Sequence, residues 1–171
     1  MTVMTRADSG EGPGFVGFAD GLRDAFQSIT LYVHGRLAQE GFGDVRPAHM
    51  AVFQHLRPEG SRIGELAERA QLTNQSIGSL VDYLSEHGYV ERTPDPLNRR
   101  ATRVCLTERG WAEMRACSRI LTELEGKLTQ VLGAGRLAAL RAETDALQRV
   151  LQDLTRAQAT ASQPTDGAGP A

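Results

Sequence analysis

Apolar residues in the first third of the chain recur at helical steps. Between about Phe15 and Glu40, the positions Leu22, Phe26, Ile29, Val33 and Leu37 lie four or three residues apart, which draws one apolar stripe along a helix. Gly41, Gly43 and Asp44 end that helix. Pro47 suits the first turn of a second one, which carries Met50, Val52, Phe53 and Leu56, and Pro58-Glu59-Gly60 breaks it. Ser61 is placed to cap a short third helix with Ile63, Leu66, Ala67 and Ala70 inward. After the tight turn Gln71-Leu72-Thr73, Thr73 caps a fourth helix with Ile77, Leu80, Val81 and Leu84 inward, and Gly88 stops it. The pattern then turns β-like. Runs from Tyr89 to Thr93 and from Arg103 to Leu106 flank the turn-rich Pro94-Asp95-Pro96-Leu97-Asn98. Thr107 caps a long fifth helix with Trp111, Met114, Leu121, Leu124, Leu128 and Val131 on its apolar face. Gly133-Ala134-Gly135 interrupts, and a sixth helix carries Leu137, Leu140, Leu147, Val150, Leu151 and Leu154.

This order predicts a mainly α fold with a small β-hairpin wing: a winged helix-turn-helix lobe plus a helical dimerisation region. Residues 1–13, rich in Gly, Ser and charge, read as a disordered arm, and 157–171, rich in small residues, Pro and Gly, as a disordered tail. The domain between them spans 14–156, with the winged helix-turn-helix at 61–106 and dimerisation helices at 15–40 and 107–156. The stripes of the first, fifth and sixth helices exceed what one small winged lobe can cover. Each Leu-sized side chain contributes about 1.5–3 kcal/mol when buried, so a homodimer is expected.

Composition narrows the function. Hydrophobic content of 40% permits a real core, and a formal net charge of -2 argues against a basic coat protein that wraps nucleic acid. Where the charges sit is more informative. From Arg92 to Arg103 there are four arginines (92, 99, 100 and 103) and one acid, Asp95. Either the wing carries Arg99 and Arg100 to a minor groove or to phosphates, or Asp95 pairs with an arginine to hold the turn; both can hold at once. On the fourth helix, the face opposite the apolar one carries Gln75, Ser79, Asp82 and Glu86, with Ser76 and Gly78 beside it. Gln75, Ser76 and Ser79 occupy the first two turns, where side chains of these types read base edges. Asp82 and Glu86 lie in later turns and are expected to point away from a groove.

Other chemistry is thin. His34, His49, His55 and His87 are scattered without ligand spacing, and Cys105 and Cys117 form no paired motif, so neither a metal site nor a cofactor is expected. No enzyme signature is present. No apolar run approaches the ~18 residues of a membrane span, and the N-terminus lacks the apolar stretch of a signal peptide, so a cytoplasmic protein is expected.

The runs Gly64-Glu65-Leu66-Ala67-Glu68-Arg69-Ala70, Gly88-Tyr89-Val90-Glu91-Arg92 and Asp95 to Gly110 (DPLNRRATRVCLTERG) resemble the MarR family of multiple-antibiotic-resistance regulators, over about residues 15–156. The wing and its following Leu-Thr-Glu-Arg-Gly are the most specific part. The resemblance implies a bacterial homodimeric transcription regulator that binds a near-palindromic duplex DNA operator. It also implies repression relieved by a small effector, often an aromatic acid or phenol. Its DNA-contact set falls here on Thr73, Asn74, Gln75, Ser76, Ser79, Arg92, Arg99 and Arg100. An effector pocket where the dimer helices meet the lobe falls near Tyr32, His49, Trp111 and Arg115. For these four, core packing, a surface pair and a satisfied interhelical histidine are the duller readings.

This sequence departs from the family pattern at three places. Asn98 stands where wings often carry Asp. Gln71 stands where the turn often has Gly, so a residue with a β-carbon must take that geometry. Asn74 and Ser79 stand where the recognition helix often carries a basic residue. Two alternatives remain at this level: a protein-interaction module that does not touch DNA, and a redox-responsive regulator using Cys105 or Cys117.

Overall fold

The stripe that defines the first helix is only half used within its own chain. The computed structural model describes residues 17–96 and 98–161, with the side chains of these residues apart from 99, 100 and 159–161. Helix α1 runs Phe18–Leu37; Val33 and Leu37 at its end are buried, whereas Phe18, Leu22, Phe26, Ile29 and Leu31 are exposed. A wider turn, Ala38–Phe42, follows and closes at Gly41 with φ 91°. Pro47 opens a 3₁₀ turn, Pro47–His49, that continues as α2, Met50–Phe53. Leu56 lies beyond that short helix but still packs against the core.

Helix α3 is Ile63–Ala70. Ser61, expected to cap it, does not; Arg62 is the flanking residue, and its N–H donates to the Glu65 carboxylate at 3.4 Å. Ser61 instead is buried and exchanges two backbone hydrogen bonds with Val104 (3.0 and 2.9 Å), adding a rung beside the hairpin. Gly60 makes this rung possible. Its φ is 88°, and a β-carbon there would lie 2.6 Å from Cys105 Sγ and 3.0 Å from the Val104 carbonyl oxygen. Gln71 ends α3 in the left-handed conformation (φ 54°, ψ 39°), as the helix-turn-helix geometry requires despite its β-carbon.

Helix α4 is Asn74–Glu86. The hairpin follows as antiparallel β1, Val90–Asp95, and β2, Asn98–Leu106, with Val90 opposite Leu106 and Asp95 opposite Asn98. The strands reach further than the sequence pattern suggests. Pro94 pairs with Thr102 and Asp95 with Asn98, so both lie in the hairpin ladder, and the backbone of 99 and 100 lies on β2. The lobe's core joins Val45, Val52, Phe53, Leu66, Ala67, Ile77, Val81, Leu84, Tyr89, Val90 and Val104. Ala67 is buried where the helix pair packs, as its small size allows.

Helix α5 is Glu108–Leu132 and α6 is Ala134–Ala161, separated by Gly133 (φ 84°). Thr107 caps α5 as expected, its Oγ1 accepting the Gly110 N–H at 3.1 Å. The buried face of α5 is Gly110, Glu113, Ala116, Cys117 and Ile120, not the stripe through Trp111 and Leu121, which is exposed. The sequence pattern misses this because four of those five residues are small or charged. The last three and Val33 and Leu37 of α1 form a second cluster.

The described residues divide into two compact units, with the boundary between Ile120 and Leu121. In the second, Leu140, Val150, Leu151 and Leu154 of α6 are exposed, and Arg141 pairs with Glu125 at 2.8 Å. Residues 157–161, read from the sequence as tail, continue α6, in keeping with the helix propensity of Ala157, Ala159 and Ala161. The arm 1–13 and residues 162–171 lie outside the described residues.

Candidate nucleic-acid interface

Helix α4 is held from beneath by Ile77, Val81 and Leu84, all fully buried, with Leu80 half-buried. Its outer face is Asn74, Gln75, Ser76, Ser79, Asp82 and Glu86, all exposed. Thr73 is the N-cap: its Oγ1 accepts the Ser76 N–H at 3.1 Å and lies 2.8 Å from Ser76 Oγ. Both hydroxyls therefore shape the helix start. Ser79 Oγ donates back to the Gln75 carbonyl oxygen at 3.2 Å, which leaves its lone pairs as acceptors. Among the described residues, the side-chain amides of Asn74 and Gln75 make no hydrogen bond, so both keep their full donor and acceptor capacity.

The wing is tied down at its far end. Asp95 is fully buried, and its Oδ2 accepts from Arg62 Nε and Nη2, each at 2.7 Å, and lies 3.2 Å from Arg103 Nε. One carboxylate thus joins the tip of β1, the middle of β2 and the start of α3. The sequence shows Asp95 as the lone acid among the wing arginines, but its main partner lies 33 residues earlier, at a distance that no local pattern encodes. Asn98, the departure from the family's wing, does not remove this ion pair, because Asp95 supplies the carboxylate.

Arg92, expected to reach DNA, pairs with Asp82 of α4 at 2.7 Å. Both groups are exposed, so the pair is weak and open to exchange with a phosphate. It also neutralises one of the two carboxylates that would repel DNA. The side chains of Arg99 and Arg100 lie outside the described residues.

A second polar cluster fixes the entry to α2. Tyr89 donates to Asp44 Oδ1 at 2.5 Å, and Arg109 Nη2 donates to Asp44 Oδ2 at 3.1 Å and to the Tyr89 hydroxyl oxygen at 3.0 Å. The Arg109 guanidinium also lies over the Tyr89 ring, 4.5 Å from its centre. Burial works to raise the Asp44 pKa, but the Tyr89 hydrogen bond, backbone bonding and the Arg109 and His87 charges outweigh it, and the net shift is downward. Burial, reinforced by Asp44, pushes Tyr89 up to about 12. The adjoining Gly110 admits no larger residue, since a β-carbon would lie 2.1 Å from the Tyr89 carbonyl oxygen.

The four effector candidates have separate settings. Tyr32 is half-buried against the Val33–Ile120 cluster, and its hydroxyl accepts from Arg36 Nη1 at 3.4 Å. Trp111 and Arg115 are exposed, one turn apart on α5. His49 is buried, accepts the Arg46 N–H on Nδ1 at 3.0 Å and stacks on Tyr83. His49 is thus hydrogen-bonded within its turn and stacked on α4, and no hydrogen bond or ring contact joins it to Trp111 or Arg115 among the described residues.

Glu113 is the residue that pattern reading misses. It is fully buried, both carboxylate oxygens lack a hydrogen-bond partner among the described residues, and burial raises its pKa to about 7. One turn on, burial and then the Glu113 charge raise the Cys117 thiol pKa, the opposite of what a reactive thiolate needs. Among the described residues, no group of three or more metal-ligating side chains gathers, and no helix is long and apolar enough to cross a membrane.

Helix-turn-helix, capped second helix and anchored hairpin together define a winged helix-turn-helix protein. Residues 44–101 match the profile described as MarR family. Among solved structures, the chain is similar to a MarR family transcription regulator (24% identity, TM-score 0.68, covering 81% of this chain and 90% of that one). It is similar to apo wild-type MarR from E. coli (22%, TM-score 0.61, 78% and 98%). It is also similar to S. aureus MepR bound to ethidium bromide (18%, TM-score 0.56, 79% and 96%). No match was found among curated proteins. The fold is that of the MarR family transcription regulators, and the matched profile covers most of the winged segment.

Proposed function

We propose that this protein is a sequence-specific DNA-binding transcription regulator of bacterial cytoplasm. It acts as a homodimer on a near-palindromic duplex, as a repressor released by a small aromatic or phenolic effector. The observation that carries the reading is the pairing of a rigidly seated α4, whose exposed first turns offer uncommitted Asn74 and Gln75 amides, with a wing locked by buried Asp95. Gln75 and Asn74 read base edges, Ser79 adds an acceptor, and Arg99 and Arg100 bind backbone or minor groove. Thr73 and Ser76 shape the helix start, and Arg92 exchanges Asp82 for a phosphate. Residues 61–106 form the DNA-binding unit, and the exposed apolar faces of α1, α5 and α6 form the dimerisation helices. The effector reading draws on Tyr32, His49, Trp111 and Arg115, and on the ethidium-bound relative.

Genome-wide mapping of bound sites supplies the duplexes for the test. Affinity for them should fall steeply as salt rises, because phosphate contacts release counterions. Arg100→Ala should weaken binding to all duplexes, and Gln75→Ala should change the ranking among sequences. Flat, weak binding insensitive to salt would favour the protein-interaction reading, which the absence of Lys and Arg from Asn74–Glu86 otherwise supports.

A further inference from the structure

We infer that His49 is a proton-sensitive cap that couples the turn before α2 to the recognition helix, so that acidification loosens α4. The inference rests on α4 being the DNA-reading helix. Its geometric basis lies in which nitrogen is basic. Neutral imidazole has one acceptor nitrogen and one N–H. Nδ1 of His49 accepts the Arg46 N–H at 3.0 Å, so Nε2 carries the hydrogen, and the only nitrogen able to take a further proton is the one already engaged. In this position His49 does the work of the Glu or Gln that reaches back in a capping box. A proton on Nδ1 would set donor against donor and force the ring to turn.

The ring cannot turn without disturbing α4. It stacks on Tyr83 at 4.4 Å between centres, and Tyr83 stacks in turn on His87 at 4.0 Å. Tyr83 also donates through its hydroxyl to the Asp44 carbonyl oxygen at 3.0 Å, while His87 Nδ1 donates to the Tyr83 carbonyl oxygen at 2.8 Å. The segment 44–49 therefore grips the C-terminal half of α4 through one side chain. The charges around His49 oppose a further cation: Arg46 on its own turn, His87 at the end of α4 and His34 on α1, with Asp44 alone favouring one. Burial, the largest influence, also holds its pKa below the ordinary histidine value. His34 shares this direction through burial, offset by a backbone bond to Val45, so the two histidines must be separated experimentally.

The experiment follows side-chain resonances of the four histidines in the full chain from about pH 7.5 to about pH 4.5, assigned by single substitutions, together with amide exchange of residues 74–86. His49 should titrate below the ordinary histidine value. After correction for intrinsic exchange, protection of the second half of α4 should fall about tenfold or more with the same midpoint. His49→Asn keeps a short side-chain acceptor for the Arg46 N–H but does not titrate; it should hold α4 protection within about twofold across the range. Acid loosening that persists in His49→Asn, or α4 protection in the wild type that ignores the His49 midpoint, would overturn the inference. Should His49→Asn not fold, the shared or separate midpoints in the wild type decide alone. None of these measurements uses DNA, so failure of the regulator reading, seen as no duplex binding at neutral pH, is recorded separately.

Discussion

The winged lobe and the long helices treat their apolar residues in opposite ways. In the lobe, nearly every large apolar side chain from Val45 to Val104 is buried or half-buried, and Leu72, in the turn before α4, stands out at 43% exposed. On α1 before Val33 and on much of α6 the reverse holds: Phe18, Phe26 and Leu31, like Leu140, Val150, Leu151 and Leu154, are mostly exposed. Helix α5 contains both behaviours, with a buried face of small and charged residues and an exposed face bearing Trp111, Leu121 and Val131. The difference teaches that the lobe is a finished core, whereas the helical faces leave large apolar side chains in water, which is what supports the dimer proposed above.

The sharpest way to break this comparison is to charge the helical faces. Leu151→Glu with Leu154→Glu should convert a dimer to a monomer at micromolar concentration, as measured by sedimentation equilibrium, while near-ultraviolet spectra of the lobe stay unchanged. A mass equal to one chain in the unmodified protein would remove the contrast altogether.

Glu113 tests whether the lobe's side of α5 is as finished as it looks. Its folded pKa of about 7 lies above the ordinary value of 4.5, so the folded state holds the extra proton between these limits. The stability this contributes is intact below about pH 4.5 and is lost as pH rises through about 7. Glu113→Gln removes the titration. It should therefore raise the unfolding free energy relative to the parent by about 3 kcal/mol at about pH 8, and by almost nothing at about pH 4.5, in urea titrations. An equal effect at both pH values would show that the carboxylate has found a partner.

Asp95→Ala should cost about 2 kcal/mol, because it strands Arg62 and Arg103, which keep part of their hydration. Amide exchange should rise first in β1 and β2 rather than in α4. The smallest effect belongs to Gln71→Gly, which relieves the left-handed strain at φ 54° but frees the unfolded chain. A net gain of up to about 1 kcal/mol in the same urea titrations is expected, and a loss would mean that the Gln71 side chain does more than endure its backbone.

Much of the winged lobe is legible without coordinates, because its signals are local. The caps at Thr73 and Thr107, the break at Gly88, the inward set Ile77, Leu80, Val81 and Leu84, and the left-handed demand on Gln71 all follow from residues a few positions apart. Ser61 is misread for the same reason: a Ser before an apolar-periodic run is a good cap by rule, and only its pairing with Val104, 43 residues later in sequence, claims it for the hairpin. The contact face of α4 is legible as a list of polar positions. That Arg92 is already held by Asp82, and His49 by Arg46 and Tyr83, is not.

Local periodicity, capping and turn chemistry by themselves determine the order of elements, the amphipathic α4 and the Arg-bearing wing of this protein, since each depends on neighbours within about one helical turn. Tertiary structure alone decides which face of α5 is buried, which arginines Asp95 consumes, and that a carboxylate at 113 and an imidazole at 49 are shut away from water. Those outcomes depend on what distant segments bring against each side chain. Desolvation and long-range pairing leave no periodic trace in the sequence.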